Sequence, residues 1–513
     1  MFTAETIKAV LKRYWGYDAF RPRQEEIVQT LLAGRDVCAV MPTGGGKSLC
    51  YQLPAALQTG KTAIVVSPLI ALMQDQVAQL RQMGISAAVL NSSQGWNEQR
   101  ETGRRAQSGE YRLLYFSPER LAKKEMLLWL QKIPISFFVI DEAHCISEWG
   151  HEFRPDYREL KLLKKEFPDA PIAAFTASAT RRVRHDIIEQ LQLKDPGKFI
   201  ASFHRANLNY RVIQCDGSTQ NEQLLAVLRE KSGSPVIVYS PTIRRVGATV
   251  AMLEQEGIPA IGYHAKMESA ERQRNQQCWM SDEVNVMVGT IAFGLGINKP
   301  NVRAVVHLAL PKSIEQYYQE AGRAGRDGKS ADCFLLWQKQ DTALLAHFIG
   351  QIEDEAEKAR GWQRYRDITG FVTSKQCRPK RICAHFGEFV KWEKCGACDF
   401  CLGVQSLPIA AAPVKPAKKR ARKSGKIAHV PPSGQMPDEI LLQALKKWRR
   451  ERARGDGVPA FVIFHDSVLS AICFAKPRTT AELCRVSGIG ENKLAKYGEC
   501  ILRVVRDHTN GKS

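Results

Sequence analysis

The sequence has no apolar run long enough to cross a bilayer, which argues against an integral membrane protein. Its opening stretch, MFTAETIKAVLKRYWGY, lacks an uninterrupted apolar segment because Lys8, Lys12 and Arg13 break it, so no secretory signal peptide is expected. Acidic side chains are in deficit: 53 Asp and Glu stand against 74 Lys and Arg, a formal net charge of +21. That excess fits a polyanionic partner, nucleic acid being the commonest, although charge also serves solubility. Residues 404–437 carry no acidic residue at all and are rich in Pro, Ala, Lys and Arg (AAAPVKPAKKRARKSGK). This composition reads as a disordered linker, and the same basic run would suit a localisation signal or a tether touching DNA. Fourteen cysteines without a secretory signal imply reduced thiols inside a cell, together with any metal site their spacing reveals.

What is present begins with two series of short β-rich runs alternating with helical patterns. The first holds DVCAVM, TAIVVS, RLLYF, ISFFVI and PIAAFT; the second holds PVIVYS, PAIGYH, VNVMVGT, VRAVVHL and ADCFLLW. Strand and helix in alternation predict two α/β domains with parallel sheets covered on both faces. The expected boundaries are 1–205 and 206–339 for these domains, 340–403 for a charged helical and Cys-rich segment, 404–437 for the linker and 438–513 for a terminal helical domain. In the last, Leu441, Leu445 and Trp448 recur at helical spacing.

MPTGGGKS (41–48) lies between a predicted strand and a predicted helix. Glycines there leave backbone N–H groups free to converge on phosphate oxygens at a helix N-terminus. Thr43, Gly44, Gly45 and Gly46 would form the cradle, Lys47 would reach the β- and γ-phosphates, and Ser48 would ligate Mg²⁺. The strict phosphate-loop pattern has Gly where this chain has Met41. Asp141 and Glu142 end the apolar run ISFFVI, where the carboxyl edge of a parallel sheet places catalytic groups. Asp141 would hold Mg²⁺ through water and Glu142 would orient or activate the attacking water. In QEAGRAGRDG (319–328) of the second domain, Arg323 and Arg326 lie among glycines that permit close approach of another backbone. Arginines there would bring positive charge to a phosphoryl-transfer transition state from a different domain.

The acid pair runs directly into Trp149, His151, Phe153, Arg154 and Tyr157, within DEAHCISEWGHEFRPDY (141–157). Further on, Cys377, Cys383, Cys395, Cys398 and Cys401 supply more thiols than one tetrahedral Zn²⁺ takes, and spacing alone does not choose between Cys377 and Cys383. An iron–sulfur cluster is the competing assignment.

FRPRQ (20–24), TGGGKSLCYQLP, DEAHCISEWGHEFRPDY, FTASAT, AFGLGINKPNVR and QEAGRAGRDG occur in the order of the RecQ family of DNA helicases, which residues 10 to about 402 resemble. The resemblance implies two RecA-like lobes with ATP between them and 3′-to-5′ translocation on single-stranded DNA. It also implies that Tyr17 stacks on adenine, that Arg21 and Gln24 read it, that Arg326 is an arginine finger with Arg323 beside it, and that Cys377 is the first zinc ligand. His144 and FTASAT would relay the nucleotide state; Ser178 departs from the family's usual Thr-Ala-Thr run, with little consequence expected. The aromatic loop would sense DNA, since a base stacked on an aromatic ring is worth ~1–3 kcal/mol whatever its identity.

Many family members carry a winged-helix domain after the zinc site, for which this chain has no room between Cys401 and the linker, and efficient unwinding is therefore in question. Residues 438–508 resemble the helicase-and-RNase-D C-terminal (HRDC) domain. In it, SGIGENK with Lys493 and Lys496 would hold backbone phosphate, and Lys446, Lys447, Arg449, Arg450 and Arg452 would add a basic face or simply a solvated one. The expected activity is an ATP-dependent DNA helicase needing ATP, Mg²⁺ and Zn²⁺, acting on single-stranded and tailed duplex DNA in repair, recombination and fork maintenance. A single-strand-binding protein is an expected partner, and the expected location is cytoplasmic at the nucleoid, or nuclear in a eukaryote. The competing readings are an RNA-dependent ATPase of the same superfamily and a zinc-containing DNA-binding scaffold without ATPase activity.

Overall fold

A computed structural model describes residues 2–90, 94–121, 123–217, 219–290, 299–404, 438–456, 458 and 460–510. The expected linker beyond Val404 and all of AFGLGIN lie outside the described residues. In the first lobe the strands are β1 (Val37–Val40), β2 (Thr62–Val66), β3 (Ala87–Leu90), β4 (Leu113–Phe116), β5 (Ile135–Ile140), β6 (Ile172–Thr176) and β7 (Gly197–Ile200). They pair in the order β3-β4-β2-β5-β6-β1-β7, every pairing parallel. In the second lobe β8 (Leu208–Gln214), β9 (Val236–Tyr239), β10 (Ala260–Tyr263), β11 (Val286–Gly289), β12 (Ala304–His307) and β13 (Ala331–Trp337) form a second parallel sheet. Its order is β10-β11-β9-β12-β13-β8.

Why these runs are unbroken by polar residues follows from the pleat. Successive side chains of a strand point to opposite faces, and both faces here are covered. Along β5, Phe137 and Val139 enter one core while Phe138 and Ile140 enter the other, all four fully buried. Along β1, Val37 and Ala39 separate from Cys38 and Val40 in the same way.

This topology positions the site. β6 lies between β5 and β1, with Val40 beside Thr176 and Ile140 beside Ala174. The carboxyl ends of three neighbouring strands therefore deliver MPTGGGKS, the acid pair and FTASAT to one edge, and the Met41 N–H donates to the Thr176 carbonyl at 3.0 Å.

Helices Lys339–Gly350, Glu355–Thr373 and Arg378–His385 follow the second lobe and carry the Cys-rich segment. The terminal bundle, from Glu439 to Asn510, has a core of its own that includes Leu441, Leu445, Leu469, Ile472, Tyr497 and Ile501. Among the described residues no helix is long and apolar enough to cross a membrane.

Candidate functional site: an inter-lobe nucleotide cleft

The turn after β1 is closed by the Gly45 N–H donating to the Pro42 carbonyl at 2.9 Å, and Gly44 and Gly46 adopt φ of 81° and 80°. A side chain at either would be strained, which is why glycine occupies them. Helix Lys47–Leu57 starts immediately afterwards, so its free N–H groups face the cleft. Lys47 Nζ lies 3.8 Å from Glu142 Oε1. Asp141 accepts the Glu142 N–H at 3.0 Å, and Glu142 itself sits at φ 48°, a left-handed conformation costly outside glycine.

Two carboxylates share this pocket with Lys47 and His144, and burial together with these neighbours divides the two acids. Burial, then the neighbouring Glu142 charge, lift Asp141 to about 6. Burial would lift Glu142 too, but Lys47 and His144 outweigh it and hold Glu142 well below the ordinary carboxylate range. A buried acid pair at the strand end, with the Ser48 hydroxyl lining the same cleft, offers the oxygen ligands that a divalent cation takes.

The second lobe closes the cleft with Arg326. A Cβ placed on Gly44 would meet the Arg326 Cα, Cβ and Cγ at 3.4–3.5 Å, so the arginine segment packs directly on the phosphate loop. Burial, followed by Arg323 and Arg205, pushes the Arg326 guanidinium down to about 9, as expected for a cation held where an anion belongs. Tyr17, Arg21, Gln24, Thr43, Gly44, Gly46, Lys47, Ser48, Asp141, Glu142, Arg323 and Arg326 all line one cleft of about 630 Å³. Arg21 and Gln24 brace the loop here: Arg21 donates to the Gly44 carbonyl at 2.6 Å, and Gln24 donates to those of Gly45 and Gly46 at 3.3 and 3.2 Å.

The aromatic loop connects to the acid through stacked imidazoles. His144 Nδ1 is 3.3 Å from Glu142 Oε2 and 2.9 Å from Thr176 Oγ1, and the His151 ring stacks on His144 at 4.7 Å. Trp149 and Phe153 are 41% and 36% exposed, so they are available as a surface rather than spent on a core. Arg182 and Arg360 lie over Trp149, at 3.0 and 5.5 Å from its ring centre, and Arg158 lies over Phe153 at 5.5 Å. Arg154 is paired with Glu152 at 2.8 Å. Tyr157 is not part of this surface: it is fully buried, and its hydroxyl donates to the Asp141 carbonyl at 3.0 Å.

The Cys377, Cys395, Cys398 and Cys401 sulfurs lie within 4.8 Å of one another, with Cys395–Cys401 at 3.9 Å and Cys398–Cys377 at 4.0 Å. Tetrahedral zinc with Zn–S bonds near 2.3 Å needs sulfurs roughly 3.8 Å apart, so four thiolates fit one Zn²⁺. Cys383 is buried and outside this group, so the geometry favours Cys377 where spacing left the choice open. The buried Arg378, beside Cys377, grips Asp399, beside Cys398, with Nη2–Oδ2 at 2.8 Å and locks the two halves together.

Four family models match in chain order: DEAD/DEAH box helicase (21–187), helicase conserved C-terminal domain (219–328), RecQ zinc-binding (339–402) and HRDC domain (438–505). The ATP-dependent DNA helicase RecQ of Haemophilus influenzae is 33% identical, the alignment covering 98% of this chain and 96% of that protein. The chain belongs to the RecQ family. The RecQ protein of Bacillus subtilis is 32% identical, with 97% of this chain and 98% of that protein covered. The Haemophilus alignment runs over 598 positions against 513 residues here, so that RecQ protein carries segments with no counterpart in this chain. Among solved structures, S. cerevisiae Dbp5 bound to RNA and ADP BeF3 shares the fold: TM-score 0.52 at 18% identity, covering 67% of this chain and 94% of that one.

One expectation drawn from the RecQ resemblance needs correction, and one departure from the family pattern acquires a partner. Ser178 keeps the hydroxyl that the family's Thr would also supply, and that hydroxyl accepts from Gln319 Nε2 at 2.9 Å, tying FTASAT in the first lobe to the arginine segment of the second. The SGIGENK hairpin is not open to phosphate: the Gly488 N–H donates to the Gly16 carbonyl at 3.1 Å, and Lys493 Nζ donates to the Val462 and Ile463 carbonyls at 2.9 and 2.8 Å. Lys496 is paired with Asp456 at 3.0 Å, and Arg449 is buried on Asp466 at 2.7 Å. Lys446 also lies 3.6 Å from Asp466, and Arg452 3.2 Å from Asp456, which leaves Lys447 and Arg450 of the expected basic face.

Sequence reasoning also missed Arg205. Between the lobes, it donates to the Thr43 carbonyl at 2.7 Å and to the Gly325 carbonyl at 2.9 Å, joining the phosphate loop to the arginine segment. Its only signal was a lone Arg at the junction of the two α/β series.

Proposed function

We propose that this RecQ-family ATP-dependent DNA helicase hydrolyses ATP between its lobes to translocate 3′-to-5′ on single-stranded DNA and unwind tailed duplexes. The observation that carries the reading is Arg326 of the second lobe packed on Gly44 of the phosphate loop, beside the Lys47–Glu142 pair. Lys47 and the loop N–H groups bind the phosphates, with Thr43, Gly44, Gly45 and Gly46 forming the cradle. Glu142, held as a carboxylate by Lys47 and His144, orients the attacking water and receives its proton. Arg326, flanked by Arg323, stabilises the charge that develops on the transferred group. Ser48 and Asp141 would hold Mg²⁺, which when bound neutralises phosphate charge. Tyr17, Arg21 and Gln24 recognise the base, and binding releases the latter two from the loop carbonyls they now hold.

A base stacking on Trp149 or Phe153 competes with the guanidiniums of Arg182, Arg360 and Arg158. The disturbance passes through His151 and His144 to Glu142, so DNA contact repositions the catalytic acid. The zinc module contributes Arg360 to this latch. Roles in repair, recombination and fork maintenance, a single-strand-binding protein as partner, and a cytoplasmic, nucleoid-associated location rest on the family membership. The test is unwinding of 3′-tailed against 5′-tailed duplex, with ATPase activation by single-stranded DNA compared with RNA. The reading expects the 3′ tail and DNA to be preferred; preference for RNA or a 5′ tail would overturn it.

A further inference from the structure

The zinc module reaches the surface that carries Trp149 through an aromatic side chain of its own. Its loop FGEFVKW (386–392) holds four large apolar residues, three of which pack inward. Phe386 stacks on Phe203 at 4.3 Å, while Val390 and Trp392 pack against the core. Phe389 does not: it is 84% exposed, the most of any large apolar side chain among the described residues. The residues just before it are pinned to the first lobe, so the loop cannot readily turn to bury it. Arg184 donates to the Phe386 carbonyl at 3.3 Å and Arg181 to the Gly387 carbonyl at 3.0 Å, and Glu388 accepts the Phe203 N–H at 2.8 Å. A Cβ on Gly387 would meet Arg181 Nε at 2.7 Å, so the chain passes the arginine as closely as glycine allows. The ring is therefore displayed before any ligand arrives, and binding would not have to order it.

Its surroundings select the ligand. Arg181 lies over the Phe389 ring at 5.4 Å, and the next residue, Arg182, lies over Trp149 at 3.0 Å. Two consecutive arginines thus join the exposed aromatic of the zinc module to that of the aromatic loop. Arg181, Arg182 and Lys391 are exposed, whereas the two carboxylates of the adjoining segment are engaged, Glu388 on the Phe203 N–H and Glu393 on Lys380 at 2.6 Å. Aromatic rings with cations between them suit a single strand, whose bases stack and whose phosphates take the positive charge. We propose that Phe389 is a base-stacking residue of the zinc module, binding single-stranded DNA on the same track as Trp149. This rests on the reading of the aromatic loop as a DNA surface. A strand on this track touches the first lobe and the zinc module together.

The test is equilibrium binding of a fluorescein-labelled oligothymidylate, read by anisotropy across a series of salt concentrations, for the full chain and three variants. Phe389→Ala removes the ring where little is buried, and unchanged zinc content reports an intact module. Its affinity should fall about ten-fold, the factor equivalent to about 1.4 kcal/mol, with the slope of log affinity against log salt unchanged. Phe389→Trp keeps a stacking face and should bind as tightly as wild type or more so. Phe389→Leu, apolar but without a π-face, should fall with the alanine variant. If Phe389→Ala loses zinc, the comparison of Phe389→Leu with Phe389→Trp decides. Wild-type affinity in Phe389→Ala or in Phe389→Leu would overturn the proposal while leaving the DNA surface at Trp149 intact. A salt slope reduced by about 1 in Phe389→Ala would mean that a phosphate contact was lost, which would overturn the stacking role as well. Failure of the wild-type chain to bind the oligonucleotide would overturn the reading of the aromatic loop itself, and this proposal with it.

Discussion

Two glycine-rich turns of this molecule, TGGGKS before helix Lys47–Leu57 and SGIGENK before helix Glu491–Asn510, look alike in sequence and face opposite kinds of partner. Each joins glycines to a lysine at a helix start. The first opens its N–H groups to a cleft and sets Lys47 against the Glu142 carboxylate. The second presses on the backbone of Arg13–Gly16 and sets Lys493 against two carbonyls of its own bundle. A turn without side chains permits close approach of any acceptor, and whether that is a phosphate or a protein carbonyl is decided by what the fold brings opposite.

The sharpest break between the two turns is expected at their lysines. Lys47→Ala should abolish ATP hydrolysis while DNA affinity, measured by fluorescence anisotropy, stays near wild type, since the DNA surface proposed at Trp149 and Phe153 lies elsewhere. Substantial turnover would mean that the first turn is no more a phosphate site than the second. Next in size is the zinc module, which presents Arg360 to Trp149. Cys398→Ser or chelation should remove zinc, measured by metal analysis, and cost much of the fold, because structural zinc supplies folding free energy outright. A zinc-free variant with unchanged thermal unfolding would refute the four-thiolate site.

A smaller effect is expected in the relay joining DNA to the first turn. Trp149→Ala with Phe153→Ala should leave basal hydrolysis near normal and remove most of its stimulation by single-stranded DNA. Surviving stimulation would place the sensor elsewhere. Ser178→Ala deletes one inter-lobe hydrogen bond, worth about 1 kcal/mol, and should lower stimulated turnover several-fold. The smallest effect belongs to the second turn. Lys496→Ala should leave the salt dependence of DNA binding unchanged, because its ammonium is already paired with Asp456. A true phosphate contact would reduce that slope by about 1.

Nine of the ten strands expected from sequence lie inside a sheet; the tenth, β10, is an edge strand with only Ala260 buried. β3, β7 and β8 escaped notice, and each is an edge of its sheet. β7 alternates half-buried and exposed residues, β8 mixes Asn209 and Arg211 into its run, and β3 is four residues long with two alanines. The gathering of Lys47, Asp141, Glu142 and Arg326 at one cleft was legible because the proposed chemistry fixes both residue types and their place beside strand ends. Arg205 and the Ser178–Gln319 bond were not, since each joins segments over a hundred residues apart and neither has a local pattern. The docking of SGIGENK was illegible for the same reason: its partner, Arg13–Gly16, lies at the other end of the chain.

The central claim is that hydrolysis needs the second lobe's arginine on the first lobe's phosphate loop. The direct measurement is ATP turnover with and without single-stranded DNA for wild type beside Arg326→Ala. Wild type should be strongly stimulated by DNA, and Arg326→Ala should lose ~10³–10⁵ in turnover while still binding nucleotide. Turnover in Arg326→Ala at the wild-type rate would contradict the account.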